Sequence, residues 1–191
     1  MSARSSESAL KLVAAYQDEA STLSTRYAKV ARSGAAAASV KSILSALQEF
    51  TECVRYLNTR RSTSAVLELN SEAAVQDALY LMLRPWITDL VPESPTSREG
   101  NRYSIKDFVT VSSRCIIEAK FVRDKDHARN ISRELHDDIE MYRSHPACRD
   151  LIFFVYDPDH LVADSGALRR QIEVDRTYNG VPLFCHLVVK P

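Results

Sequence analysis

Residues 103–121 read YSIKDFVTVSSRCIIEAKF, and this stretch decides the fold. Ser112, Ser113 and Arg114 interrupt two runs rich in Ile, Val, Phe and Thr. Those side chains suit a pleated, half-buried surface, so the segment is expected to form a β-hairpin. Side chains alternate across a strand, which sends Glu118 and Lys120 to one face and Cys115, Ile117, Ala119 and Phe121 to the other. The second face is wholly apolar and should be packed. The first also carries Ile116 and is only partly polar. A carboxylate and an amine on a mostly buried strand are costly to desolvate unless they act together. Asp107, on the preceding strand, adds a second carboxylate that antiparallel pairing can bring alongside.

A chain of 191 residues holds one ordinary domain, or one with a smaller appendage. Its 45% hydrophobic and 26% charged residues place it among globular proteins rather than disordered ones. The longest apolar runs are strand-length, so no transmembrane helix and no membrane partner are expected. The opening MSARSSESALKLVAAYQDEA has no apolar core of a signal peptide, and the cytoplasm is the expected location. Cys53, Cys115, Cys148 and Cys185 show no spacing suited to zinc and read as reduced, mostly buried thiols. Net charge is zero but uneven. Residues 1–67 carry nine Lys/Arg against five Asp/Glu, and residues 68–191 carry sixteen against twenty. A neutral chain would need local basic patches, or metal ions offsetting a carboxylate-lined site, to hold nucleic acid.

Outward from the hairpin, the pattern alternates. Leu12, Tyr16, Ala20, Leu23, Tyr27 and Val30 make one amphipathic helical stripe, and Val40, Ile43, Leu44, Leu47, Phe50, Val54 and Leu57 make a second. Residues 1–62 are therefore expected to be a helical hairpin, an arm for packing, oligomerisation or partner docking. A polar linker (Asn58–Ser64) and a brief strand or helix lead-in at Val66, Leu67 and Leu69 follow. Ser71 then reads as an N-cap, with Glu72 in the first turn of an apolar helix that runs to about Leu83, where Pro85 limits it. Pro92–Asn101 reads as loop. After the hairpin come a helix from about Ala128 to Tyr142 and LIFFVY (151–156), a run of strand length suited to a strand covered on both faces. A short helix over 165–174 and a last strand over 181–189 complete the chain. From residue 66 the order is helix, strand, strand, helix, strand, helix, strand, an α/β domain over 66–191 with a mixed β-sheet flanked by helices.

An Asp followed, a strand and turn later, by Glu-x-Lys is the core of the PD-(D/E)XK nuclease motif, and four blocks extend the likeness. From about Leu69 onward the chain resembles the restriction-endonuclease-like group shared by GATC-cutting restriction enzymes and bacterial defence proteins. NSEAAVQDALYLMLRPWITDLVPE resembles the group's E-x-D-V-Q-D-L-L-Y helix. IKDFVTVSSRCIIEAKFVRDK carries its Asp-Phe and E-x-K strands, with Asp107 and Glu118 eleven residues apart. ELHDDIEMYRSHPACRDL resembles its D-I-x-x-Y-x-x-H-P-x-C helix, and LIFFVYDPD its following strand and turn. Lys106 stands where Pro commonly precedes the Asp, and Ala74 where the group often has Asp.

The resemblance implies a Mg2+-dependent nuclease, with Mn2+ able to substitute, that hydrolyses phosphodiester bonds in DNA ahead of RNA, in bacterial defence. Asp107 and Glu118 would hold the metal, with the Ala119 carbonyl as a further oxygen ligand. Lys120 would position or deprotonate the attacking water and favour the developing phosphorane. Glu72 would bind a second metal or orient Lys120, supported by Gln76 one turn along. Arg123, Lys125, Arg129 and Arg133 are candidates for phosphate contact, with a solvated helix face as the alternative. Tyr142, His145 and Cys148 read as packing and helix-end residues, and Asp157 and Asp159 as turn formers. Two rival readings stand beside this one: a catalytically inactive binding or assembly module of the same fold, in which the helical arm does the work, and an RNA-cleaving nuclease. A homo-oligomer, or a partner held through the two helical stripes, is also expected.

Overall fold

The computed structural model describes residues 21, 38–60, 66–92, 107–143, 145 and 148–191. The first expected helical stripe, residues 61–64 of the expected linker, the loop from residue 93 and the first residues of the expected hairpin, 103–106, lie outside them, while Asn58 and Thr59, expected in the linker, are helical.

The second stripe is carried by two helices rather than one, α1 (Val40–Gln48) and α2 (Phe50–Thr59). Ser39 caps α1 by accepting the Ser42 amide at 3.1 Å. The chain breaks at Glu49, at φ −86° and ψ −1°, the conformation of a tight turn. Its amide bonds back to the Ala46 carbonyl at 3.0 Å. The break leaves the apolar spacing intact, so Ile43, Leu47 and Phe50 reach one buried layer. Residues 66–70 form no regular element in place of the expected lead-in. Their backbone is taken by Asn58, whose Oδ1 accepts the Val66 and Leu67 amides at 3.0 and 2.9 Å and whose Nδ2 donates to the Leu67 carbonyl at 2.9 Å.

Helix α3 (Glu72–Leu83) starts at Ser71, whose hydroxyl accepts the Ala74 amide at 3.3 Å, and ends two residues before Pro85. A three-residue strand β1 (Leu90–Pro92) pairs antiparallel with β2 (Phe108–Thr110), where loop was expected from Pro92. The predicted hairpin is present, with β2 antiparallel to β3 (Cys115–Phe121). Asp89 holds its turn, accepting both the Ser112 amide (2.7 Å) and hydroxyl (2.6 Å) on Oδ2. Helix α4 (Lys125–Tyr142) begins inside the charge run, because Asp124 serves as its cap and accepts the His127 amide at 2.7 Å. Strand β4 (Asp150–Tyr156), helix α5 (Ser165–Ile172), strand β5 (Arg176–Tyr178) and strand β6 (Val181–Lys190) complete the chain. Strand β5 was not anticipated.

The six strands form one mixed sheet in the order β1-β2-β3-β4-β6-β5. The helical crossovers make β3–β4 and β4–β6 parallel, and the hairpins are antiparallel. Alternation along β4 sends Leu151, Phe153 and Val155 to the layer under α4 and α5, and Ile152 and Phe154 to the layer under α1, α2 and α3. Helices thus cover both faces, the α/β restriction-endonuclease-like arrangement the sequence suggests. Cys115, Cys148 and Cys185 are buried and Cys53 is exposed. Among the described residues no helix is long and apolar enough to cross a membrane.

Candidate active site

Hairpin pairing between β2 and β3 ends at Phe108 opposite Ile117. One step further, the Asp107 carboxylate takes the place of a strand carbonyl and accepts the Ala119 amide on Oδ2. Its Oδ1 accepts Gln76 Nε2 at 2.5 Å, which ties the start of β2 to the first turns of α3. Glu118, opposite Asp107 in the extended register, is held from two sides. The Tyr142 hydroxyl donates to Oε2 at 2.7 Å, and Lys120 Nζ donates to Oε1 at 3.1 Å. The same Nζ lies 2.8 Å from Asp138 Oδ2 on α4. Asp107 and Glu118 are only 4% and 5% exposed, so little water screens these charges.

Burial pushes the Asp107 carboxyl up to about 9, helped by the nearby Glu118 and Glu72 charges and opposed by the Ala119 amide and Lys120. Burial also raises Glu118, to about 7, against the pull of Lys120 and with a push from Asp138. Asp138 is raised as well, by burial, with Lys120 opposing. For Lys120 burial acts in the lowering direction, yet the Glu118 and Asp138 carboxylates outweigh it and hold the amine above its ordinary value. The site therefore has more carboxylates than its one amine can neutralise. Hard oxygen donors short of positive charge are what a Mg2+-sized cation fits. Among the described residues no three His, Cys, Asp or Glu side chains enclose one point. Two carboxylates completed by a peptide carbonyl, water and substrate oxygens is the set such an ion commonly takes.

Of the residues singled out in the sequence, Asp107 bonds Gln76 and the Ala119 amide, Glu118 bonds Lys120, Asp107 feels the charges of both Glu118 and Lys120, and Glu72 lies close enough to act on both Asp107 and Lys120. The support expected from Gln76 goes directly to Asp107. Arg123, Lys125, Arg129 and Arg133 stand apart, exposed at the start of α4 and along its outer side, with Arg129 paired to Asp126 at 2.7 Å. Asp157 is a turn former: its two oxygens accept the Leu161 and Val162 amides at 2.9 and 2.8 Å. Tyr142 does pack, fully buried at the end of α4, but it also serves the site through Glu118. Asp138, the Asp of the D-I-x-x-Y block, was given no role in the sequence reading. The available signal was the four-residue spacing of Asp138 and Tyr142, which puts both on one side of a helix.

A mixed sheet with an Asp and a Glu-x-Lys at the open end of its hairpin defines a nuclease core of the restriction-endonuclease type. The chain belongs to the DpnII–MboI restriction endonuclease family, whose model, described as REase_DpnII-MboI, matches residues 40–182. That span takes in α1 and α2 as well as the core. No curated protein and no solved structure matches the chain. Membership in a restriction endonuclease family points to a nuclease, a hydrolase that acts on DNA.

Proposed function

We propose that the protein is a Mg2+- or Mn2+-dependent endonuclease that hydrolyses phosphodiester bonds in DNA in bacterial defence. The observation that carries this reading is the nearness of buried Asp107 to the bonded pair Glu118 and Lys120, with the carboxylates in excess. Asp107 and Glu118 would hold the cation, with the Ala119 carbonyl and Glu72 as further oxygen donors. Bound there, a divalent cation would acidify the attacking water and polarise the phosphoryl oxygens. Lys120 stays charged beside two carboxylates, which makes it a poor base and a good electrostatic partner for the pentavalent phosphorane. Gln76 and Tyr142 keep the two metal-binding carboxylates in place through the hydrogen bonds they donate. Arg123, Lys125, Arg129 and Arg133 would contact phosphates flanking the cut. Residues 66–191 would be the nuclease-like unit and residues 1–62 a helical arm that also serves oligomerisation.

Purified protein is to be incubated with plasmid, linear duplex, single-stranded DNA and RNA in Mg2+, Mn2+ or EDTA, beside Lys120→Ala. Duplex cleavage that needs metal and is lost in the variant is the expected outcome. Cleavage of RNA alone would reassign the substrate, and a folded protein that neither cuts nor binds Mn2+ would remove the enzymatic reading. A monomeric mass by light scattering at high concentration would remove the oligomer.

A further inference from the structure

Lys120 is shared. Its Nζ donates to Glu118 Oε1 at 3.1 Å and lies 2.8 Å from Asp138 Oδ2, and both acidic side chains are about as buried as the amine, at 6%, 14% and 13% exposed. Glu118 also takes the Tyr142 hydroxyl on its other oxygen, so each oxygen already accepts one hydrogen bond and a cation bound to this carboxylate would share it with Lys120. A buried ammonium that lost Glu118 with no second acceptor would be left uncompensated. The nearer of its two partners is Asp138, which reaches it from a different element, α4, and is no part of the Asp-Glu-x-Lys set. Asp138 and Tyr142 lie one turn apart on that helix and grip the amine and the carboxylate of the same strand pair.

We propose that Asp138 is a positioning residue, the counter-ion that retains Lys120 when a divalent cation binds the Glu118 carboxylate. The inference rests on the metal-dependent reading above. Without Asp138, Lys120 would hold Glu118 as its sole partner and compete with the cation for it. With Asp138, the amine is already anchored beside the site, and the carboxylate exchanges one positive charge for another while Lys120 stays in place.

Calorimetric titration of Mn2+ into the full-length wild type, Asp138→Asn, Lys120→Met and the double variant separates this from a simple loss of negative charge. Asp138→Asn is expected to weaken Mn2+ binding about tenfold when Lys120 is present and about twofold or less when it is Met, a coupling set by the competing ion pair. Asp138→Glu, which keeps the carboxylate, should recover most of the loss. Melting of each variant in EDTA reports folding, and Lys120→Gln replaces Lys120→Met if the latter does not fold. Equal weakening in both backgrounds would mean that Asp138 acts only as a distant charge, and unchanged affinity in Asp138→Asn would mean that it does nothing for the metal; either overturns the proposal. A wild type that binds no Mn2+ would overturn the metal-dependent reading itself and this inference with it.

Discussion

Asp107→Asn is expected to lose DNA cleavage by roughly a thousandfold or more, the scale set by removing a preorganised charge, and yet to melt higher than the wild type at pH 8 in EDTA. Both halves come from the same contacts. Asp107 is buried beside Glu118 and near Glu72, and its carboxyl is raised far above the usual range. A carboxyl raised in the folded state binds its proton more tightly folded than unfolded. Its contribution to stability is complete below the unfolded value near 4 and is lost as pH climbs through the folded value near 9. Metal-free wild type should therefore melt progressively lower from pH 5 to pH 9. Asparagine keeps the shape and one acceptor for the Ala119 amide, and the Gln76 amide can turn to accept from the new Nδ2. What disappears is an acid that folding must bury, first against desolvation and then against the Glu118 charge, and that therefore has to hold its proton at a pH where the unfolded chain releases it. The gain at pH 8 is on the order of 1–2 kcal/mol, a few degrees for a chain of this length, and the melting curve should depend less on pH. Scanning calorimetry in EDTA across that range decides it: a variant that melts lower than wild type at pH 8 would show that burying the Asp107 carboxyl does not destabilise the metal-free fold.

The parts of this architecture that could be read beforehand are those fixed by the two-residue period of a strand. That period assigns Glu118 and Lys120 to one face and Ile117 and Ala119 to the other, and antiparallel pairing does the rest for Asp107. LIFFVY was legible because a run with no polar face must be covered twice. The elements that escaped are short edges. Strand β5 is announced by Asn179-Gly180, both at positive φ (51° and 78°), the pair favoured in a two-residue hairpin turn. Its residues Arg176, Thr177 and Tyr178 lack the apolar alternation that marks a buried strand, so the signal stood without its flank. Strand β1 ends in Pro92, which an edge strand tolerates and a central one would not. The turn at Glu49 has neither Gly nor Pro and leaves the helical stripe in phase, so nothing in the spacing betrayed it.

The site divides the same way. Asp107, Glu118 and Lys120 belong to one hairpin, where local register predicts proximity. Asp138 and Tyr142 reach the site only because the β3–α4–β4 crossover folds α4 back over its own strand. On the helix, Tyr142 extends the apolar row of Ile131, Leu135 and Ile139, which gives it a packing role on pattern alone, while Asp138 sits in a run of acidic residues that resembles a solvated face. Side-chain chemistry carried across a crossover has no period to announce it.

Phe50→Ala should lower the melting temperature by about 10 °C, because emptying a fully buried aromatic site costs about 3–5 kcal/mol and each kcal/mol is worth about 2–4 °C at this size. Phe50 comes from α2, outside the strands and catalytic residues, yet it is 1% exposed. Its ring packs edge-on against Phe154 at 4.7 Å and Tyr156 at 5.8 Å, side chains of the strand that pairs with both β3 and β6. Ile43 and Leu47 from α1 join the same layer over Ile152 and Val188. The helices before residue 60 thus close one face of the sheet, and removing their largest wedge opens a cavity against its central strand. Val54→Ala, on the half-exposed side of α2, should cost less than about 1 kcal/mol. Glu118 and Lys120 point to the opposite face of β3, so cleavage by Phe50→Ala well below its melting temperature should stay near that of the wild type. Thermal melting of the two variants beside a cleavage assay at 20 °C tests the arrangement. A Phe50→Ala protein that melts within 2–3 °C of the wild type would mean that Phe50 of α2 contributes little to the core on this face of the sheet.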